Sequence, residues 1–383
     1  MWLSSKRRFL QAAGVAIADR VLPRWLFGGT PSDAGKTRKV ILVTFGGGVR
    51  YSETFSPEGL INIPHLAALR PNGYFYKSCV NAGVLSHVNS TGSIITGNWQ
   101  RVDDFGFERP ASATVFEHFR KQTGANTSDA WAICTNKSFS LLGGSAHRDW
   151  GPRFGANLVL PKQLLLEAVD EVVKKRSGQG VADRDNVLRQ LDTILNEGYE
   201  GLGWTIFKAG RELDNTVRQT LTRSLVEYIN GPELPTSGDE LTFFIAREVM
   251  REFAPRLLLV NFWDMDVAHW GSYSLYLQAV TRTDRLVGML WEEVQANPNY
   301  KDKTVMLVLP ELGRDGDANT ANGFLNHRSG DASCRNMWLL ALGAGRGESD
   351  RPVRHVDMAA TACALLGVKP FEMEGAPIPE IKA

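Results

Sequence analysis

LLLVNFWDMDVAHWGSYSLYLQAV (residues 257–280) decides the fold, because its hydrophobic period changes partway along. Residues 257–262 are a short continuous apolar run, the pattern of a strand covered on both faces. The end belongs to a longer pattern in which Tyr276, Val280, Val287, Leu290 and Val294 recur at helical spacing, while Arg282, Arg285 and Glu292 fall elsewhere. A buried strand feeding a helix that packs back on the sheet is the unit of an α/β fold. Between strand and helix stand Asp264, Asp266 and His269.

The same texture recurs outward from this stretch. RKVILVTF (38–45), AWAIC (130–134), KTVMLVLP (303–310) and NMWLLALG (336–343) are further apolar runs with helical patterns between them. The alternation predicts an α/β fold, a three-layer αβα sandwich around a mostly parallel sheet. VDMAATACALLGV (356–368) reads as a final helix with Asp357 as N-cap and Gly367 as its stop. From residue 160 to 253 the texture differs: KQLLLEAVDEVVKKR, DRDNVLRQLDTILNEGY, NTVRQTLTRSLVEYI and DELTFFIAREVMREF are four charge-rich amphipathic patterns. They predict a helical insertion, either a lid over the site or a cover for one sheet face, dividing a core of residues 36–159 and 254–383.

Charge and cysteine usage narrow the function. The 383 residues carry a formal net charge of +1, so the basic footprint of a nucleic-acid binder is missing and a small-molecule partner is expected. Cys79, Cys134, Cys334 and Cys363 form no CxxC pair, which removes zinc-ribbon and dithiol redox readings. SSKRRFLQAAGVAIA (4–18) places Lys6, Arg7 and Arg8 before a weakly apolar run and resembles a twin-arginine signal within residues 1–30. It implies passage through the twin-arginine machinery to the periplasm or the exterior. The run is too short to span a bilayer, and no other stretch is long enough.

In open α/β sheets the ligand site lies beyond the carboxyl ends of the strands. Gly46, Gly47, Gly48, Arg50 and Glu53 follow the first run, and Asp264, Asp266 and His269 follow the third. Glu311, Arg314, Asp315, Asp317, Asn322, His327 and Arg328 follow the fourth. LSHVNSTGSIITG (85–97) adds Ser86, His87, Asn89, Ser90 and Thr91. Carboxylates and imidazoles converging at several strand ends are what a divalent-metal site needs.

VTFGGG, LSHVNSTGSIITG, DMDVAH, PELG and NGFLNH, followed by the final helix, stand in an order that resembles the alkaline phosphatase superfamily of phosphatases, sulfatases, phosphodiesterases and cofactor-independent phosphoglycerate mutases. The resemblance covers residues 39–144 and 256–367 and implies an alkaline-phosphatase-like fold and a metal-dependent hydrolase of phosphate or sulfate esters. One family metal position maps onto Asp266, His269 and His327, with Asp264 as a further ligand or a supporting partner. The other departs from the pattern: its first acid is glycine here, at Gly46 or Gly47, and Asp-His-Gly has become Glu311-Leu312-Gly313. Glu311 would then reach across to the metal, or His87 would supply the missing nitrogen. One well-formed site for a divalent ion (Zn, Ca, Mg or Mn) is implied. The ELGR form of the motif resembles that of a branch of exported sulfatase-like proteins.

The expected nucleophile falls at Ser86 or His87, with Ser86 the candidate and Ser90 and Thr91 behind it. Asn89 would donate to a phosphoryl or sulfuryl oxygen, and Arg314 or Arg328 would pair with one. The competing reading is a superfamily member that kept the fold and lost catalysis, acting in binding or assembly; a phosphate-moving mutase fits the export signal less well.

Overall fold

β1 (Lys39–Phe45) organises the molecule, and all seven of its residues are buried. The computed structural model describes residues 38–165, 168, 213–229, 235–318 and 323–382. The twin-arginine-like segment lies outside them, as do DRDNVLRQLDTILNEGY and most of KQLLLEAVDEVVKKR. β1 pairs in parallel with β5 (Leu257–Asn261) and β6 (Thr304–Pro310). Outside β5 lie β3 (Ala130–Cys134) and β4 (Asn157–Val159), both parallel to it. Outside β6 lie β7 (Asn336–Leu342), β2 (Gly73–Val80) and β8 (Gly347–Ser349), with β9 (Val353–Arg354) also on β2. Only β7 runs against its neighbours, so the sheet is mostly parallel as expected.

Alternation along each strand makes the two faces. Ile41, Val43 and Phe45 point into one apolar layer with Leu258, Val260, Met306 and Val308; Val40 and Leu42 point into the other with Leu257, Leu259, Leu307 and Leu309. The first layer is closed by α1 (Pro64–Leu69), α4 (Asn215–Ile229), α5 (Gly238–Glu252) and α6 (Tyr273–Ala296). The second is closed by α2 (His87–Thr96), α3 (Val115–Thr123) and α8 (Asp357–Leu366). This is the three-layer αβα sandwich. Residues 37–383 form one compact unit, and α4 and α5, from the expected insertion, bury Leu221, Leu225, Leu241, Ile245 and Val249 in its core.

One local expectation needs correction. Asp357 is the first residue of α8 rather than its N-cap, and its carboxylate accepts from the Arg354 and Ala376 backbone N–H groups at 2.8 and 3.0 Å. Gly367 does end the helix, at φ 73°. β2 shows no clean apolar run, because Lys77 is exposed at its middle and its pairing with β7 shifts register between Tyr76 and Cys79. The four cysteines are buried and free, and Cys334 donates to Asp315 Oδ1 at 2.7 Å.

Candidate metal centre

The central strands β5, β1 and β6 are parallel, so their carboxyl ends open on one edge of the sheet. Beyond β5 the chain enters a 3₁₀ turn over Asp264–Trp270 and leaves it at Gly271, where φ is 90°. Residues three apart eclipse one another in a 3₁₀ helix, which brings Asp266 and His269 together: His269 Nε2 lies 3.1 Å from Asp266 Oδ1. His87, the first residue of α2, brings Nε2 to 3.4 Å from the same oxygen. His327 Nε2 lies 3.0 Å from His269 Nε2. Ligand atoms of these four residues all fall within 4.8 Å of one another.

Three imidazoles and a carboxylate are a donor set for a borderline transition ion. Bonds of roughly 2.0–2.1 Å in a tetrahedron put donors about 3.3 Å apart; three contacts in the cluster, at 3.0 to 3.4 Å, lie near that edge, and the whole set stays within 4.8 Å. The electrostatics also call for a cation. Burial opposes charge on His87, but the Asp266 and Glu311 carboxylates outweigh it and push its pKa up to about 10. Burial likewise disfavours charged Asp266, yet His87, His269 and Arg314 hold its carboxyl well below the usual range. Burial, with His87 and Arg314 nearby, keeps His327 neutral and its pKa lowered. His87 thus sits between two carboxylates that favour positive charge at this place.

Glu311 does not join the four donors. It is fully buried and accepts from the Gly47 N–H at 2.8 Å, Thr91 Oγ1 at 2.8 Å and Asn261 Nδ2 at 3.3 Å, and it meets His87 Nδ1 at 2.5 Å. Of the two expected alternatives, the geometry places His87 rather than Glu311 among the four donors, with Glu311 against the ring's other nitrogen. Carboxylates commonly orient metal-bound histidines in this way. Arg314 is fully buried and donates to the Gly47, Gly48, Met265 and Phe324 carbonyls and to Asp266 Oδ1 at 3.1 Å, so it braces the loops around the cluster.

Ser86 and Asn89 also sit elsewhere than expected. Ser86 is the N-cap residue of α2, its hydroxyl accepts from Asn89 Nδ2 at 2.8 Å, and it lines a neighbouring cleft. Both ends of the Asn89 amide are engaged, Oδ1 by the Val102 N–H at 2.7 Å and Nδ2 by Ser86 and the Val102 carbonyl. Ser90 pairs with Asn81 and Thr91 with Glu311. Asp264 turns from the cluster to Arg282 at 2.8 Å. The cluster opens into a cleft of ≈ 570 Å³ walled by Phe105, Phe107, Trp263 and Trp270, with Lys137 and Arg328 among its polar residues.

The sequence reading missed Asp239. This buried residue of α5 accepts from the Trp263 and Asp264 N–H groups at 2.6 and 3.0 Å and from Thr135 and Thr283. It clamps the start of the turn that carries Asp266 and His269. The signal available was Ser237-Gly238-Asp239-Glu240, which starts a helix, and Ser237 does cap it. Asp239→Ala should cost about 3 kcal/mol by stranding these donors, read by urea unfolding, and should weaken metal binding about tenfold. Unchanged values for both would remove Asp239 from the site.

Gly46 and Gly47 stand where the resemblance led to the expectation of an acid, and neither position has room for a side chain. A Cβ on Gly46 would overlap the Phe262 carbonyl oxygen, and one on Gly47, at φ +85°, the Asp266 backbone nitrogen. The glycines let β1 and the Asp266 turn approach closely, leaving no room for a side chain. Gly46→Asp should therefore not rebuild a second metal position. It should destabilise the fold by more than about 3 kcal/mol; a variant with unchanged Tm that retains a second ion would contradict this.

No family model and no curated protein matches the chain by sequence. Solved structures match it at low identity. The wild-type alkaline phosphatase PafA is 12% identical with a TM-score of 0.55, over 93% of this chain and 100% of that one. A 2-O GAG sulfatase is 12% identical with a TM-score of 0.55, over 91% and 74%. The phosphonate monoester hydrolase of Agrobacterium radiobacter is 14% identical with a TM-score of 0.54, over 90% and 77%.

Proposed function

We propose that this chain, whose fold is that of the alkaline phosphatase superfamily, is a metal-dependent hydrolase of phosphate or sulfate esters. The observation that carries the reading is the four-donor cluster of His87, Asp266, His269 and His327 at the carboxyl edge of the sheet, opening into a cleft of ester size. A nitrogen-rich set favours zinc over calcium or magnesium. Such an ion supplies Lewis acidity and lowers the pKa of bound water. Within the chain, Glu311 holds the His87 tautomer, Arg314 holds Asp266, and Lys137 and Arg328 offer charge to the ester's oxygens. The role first given to Ser86 passes to water, because that hydroxyl lines a different cleft.

A second reading, a binding protein on the same fold, draws on one observation: four protein side chains converge as donors, enough to fill a tetrahedral zinc, and catalytic zinc keeps a position open. The test is elemental analysis of the purified protein with a panel of phosphate and sulfate esters under zinc, manganese, magnesium and calcium. Metal-dependent turnover supports the hydrolase; one retained ion with no turnover of any ester supports the binding protein. We further propose export by the Lys6-Arg7-Arg8 segment and a helical insertion at residues 160–253. Among the described residues no helix is long and apolar enough to cross a membrane.

A further inference from the structure

We infer that the preferred ester carries a second anionic group on its leaving side, held in a cationic cleft beside the metal cluster. The inference rests on the hydrolase reading of that cluster. The cleft measures ≈ 510 Å³, and Ser86, Trp99, Gln100, Arg101, Arg328 and Arg335 form much of its wall. Three of its lining residues are guanidinium groups and none is acidic, in a chain whose net charge is only +1. That segregation makes a local field for anions.

The position relative to the cluster is set by chain geometry. Ser86 lines this cleft and His87 lines the metal cleft, and consecutive Cα atoms are about 3.8 Å apart. Arg328 lines both. The two clefts therefore adjoin at Arg328 and along the Ser86–His87 peptide. Two of the guanidinium groups are held in place before any ligand arrives. Arg335 Nη1 donates to the Asn81 and Gly83 carbonyls, both at 3.0 Å. Arg328 pairs with Asp104 at 2.9 Å, and Asp104 accepts from the Val88 N–H of α2 at 3.2 Å. Anchored guanidinium forks lose little freedom on binding a phosphate, sulfate or carboxylate. Arg101 is exposed and supplies the adjustable third.

The test pairs turnover with binding. For matched esters with and without a second phosphate, sulfate or carboxylate, kcat/KM should favour the doubly anionic ester by about tenfold or more, and the ranking of the three groups identifies the anion. Arg101→Glu, an exposed change whose folding is checked by Tm, should erase the preference. Separately, alkane bisphosphonates of increasing length should bind the metal-loaded protein about tenfold more tightly than methylphosphonate at one optimal length, and Arg101→Glu should remove that optimum. No optimum at any length, or one insensitive to Arg101→Glu, overturns the inference. Ester turnover without the preference leaves the hydrolase standing and the cleft refuted. A bisphosphonate optimum with no turnover of any ester refutes the hydrolase and leaves the cleft standing.

Discussion

Asp266→Asn is expected to empty the metal centre while leaving the protein folded. Asp266 Oδ1 is the one oxygen that both His87 and His269 approach, at 3.4 and 3.1 Å, and Arg314 donates to it at 3.1 Å. Asparagine keeps an acceptor for Arg314 and removes the anionic donor. Loss of a partner that only orients a ligand costs about 10–100-fold in affinity; loss of the sole carboxylate among four donors should exceed that, and ester turnover should fall in parallel. Alanine is the poorer variant, because it also takes a partner from the fully buried Arg314. The measurement is metal content after dialysis, with Tm recorded with and without added zinc. Wild-type protein should gain stability with zinc and Asp266→Asn should not. Equal metal retention by both proteins would sink the assignment, and His269→Ala should behave as Asp266→Asn does.

How much of this was legible depended on how local each contact is. β1, β3, β5, β6 and β7 were visible because both faces of the central sheet are covered, which turns five strands into unbroken apolar runs. β4, β8 and β9 are two or three residues long at the sheet's margins and leave too little pattern to read. Asp266 and His269 were legible as a pair, since three residues of spacing fixes their meeting in a tight turn. His327 was reachable only through the order of motifs.

Other positions were less legible for a different reason. Glu311 shows in the sequence as an acid at a strand end, but its surroundings depend on Gly47, Thr91, Asn261 and His87, fifty or more residues away. Ser86 and His87 are neighbours in sequence, and where α2 begins decides which side chain faces which cleft. The helix start at Ser237 was legible, but the clamping role of Asp239 was not, because its four partners lie on other elements. Residue types were read correctly; burial and direction, which assign the work, come from the packed structure.

His87→Ala, with imidazole added back, separates the two things His87 can do. In the superfamily resemblance this place at the start of α2 holds the nucleophile, while in this chain it holds an imidazole whose Nε2 points at the other three donors. If His87 is the fourth ligand, His87→Ala should weaken metal binding by more than the roughly 10–100-fold of an orienting partner, retain one ion at saturating metal, and recover affinity with added imidazole. Glu311→Gln should weaken binding through the same ring, because Nδ1 loses its charged partner at 2.5 Å while Thr91 and Asn261 keep theirs. If His87 instead attacks the ester, metal affinity stays at the wild-type value and only turnover falls. The first outcome carries a further consequence. Asp266, His269 and His327 would then hold an ion with one corner open to the cleft, which is the arrangement catalytic zinc requires. At saturating zinc, His87→Ala should then match or exceed wild-type turnover, and a dead but fully metallated variant would show that the histidine itself takes part in the reaction.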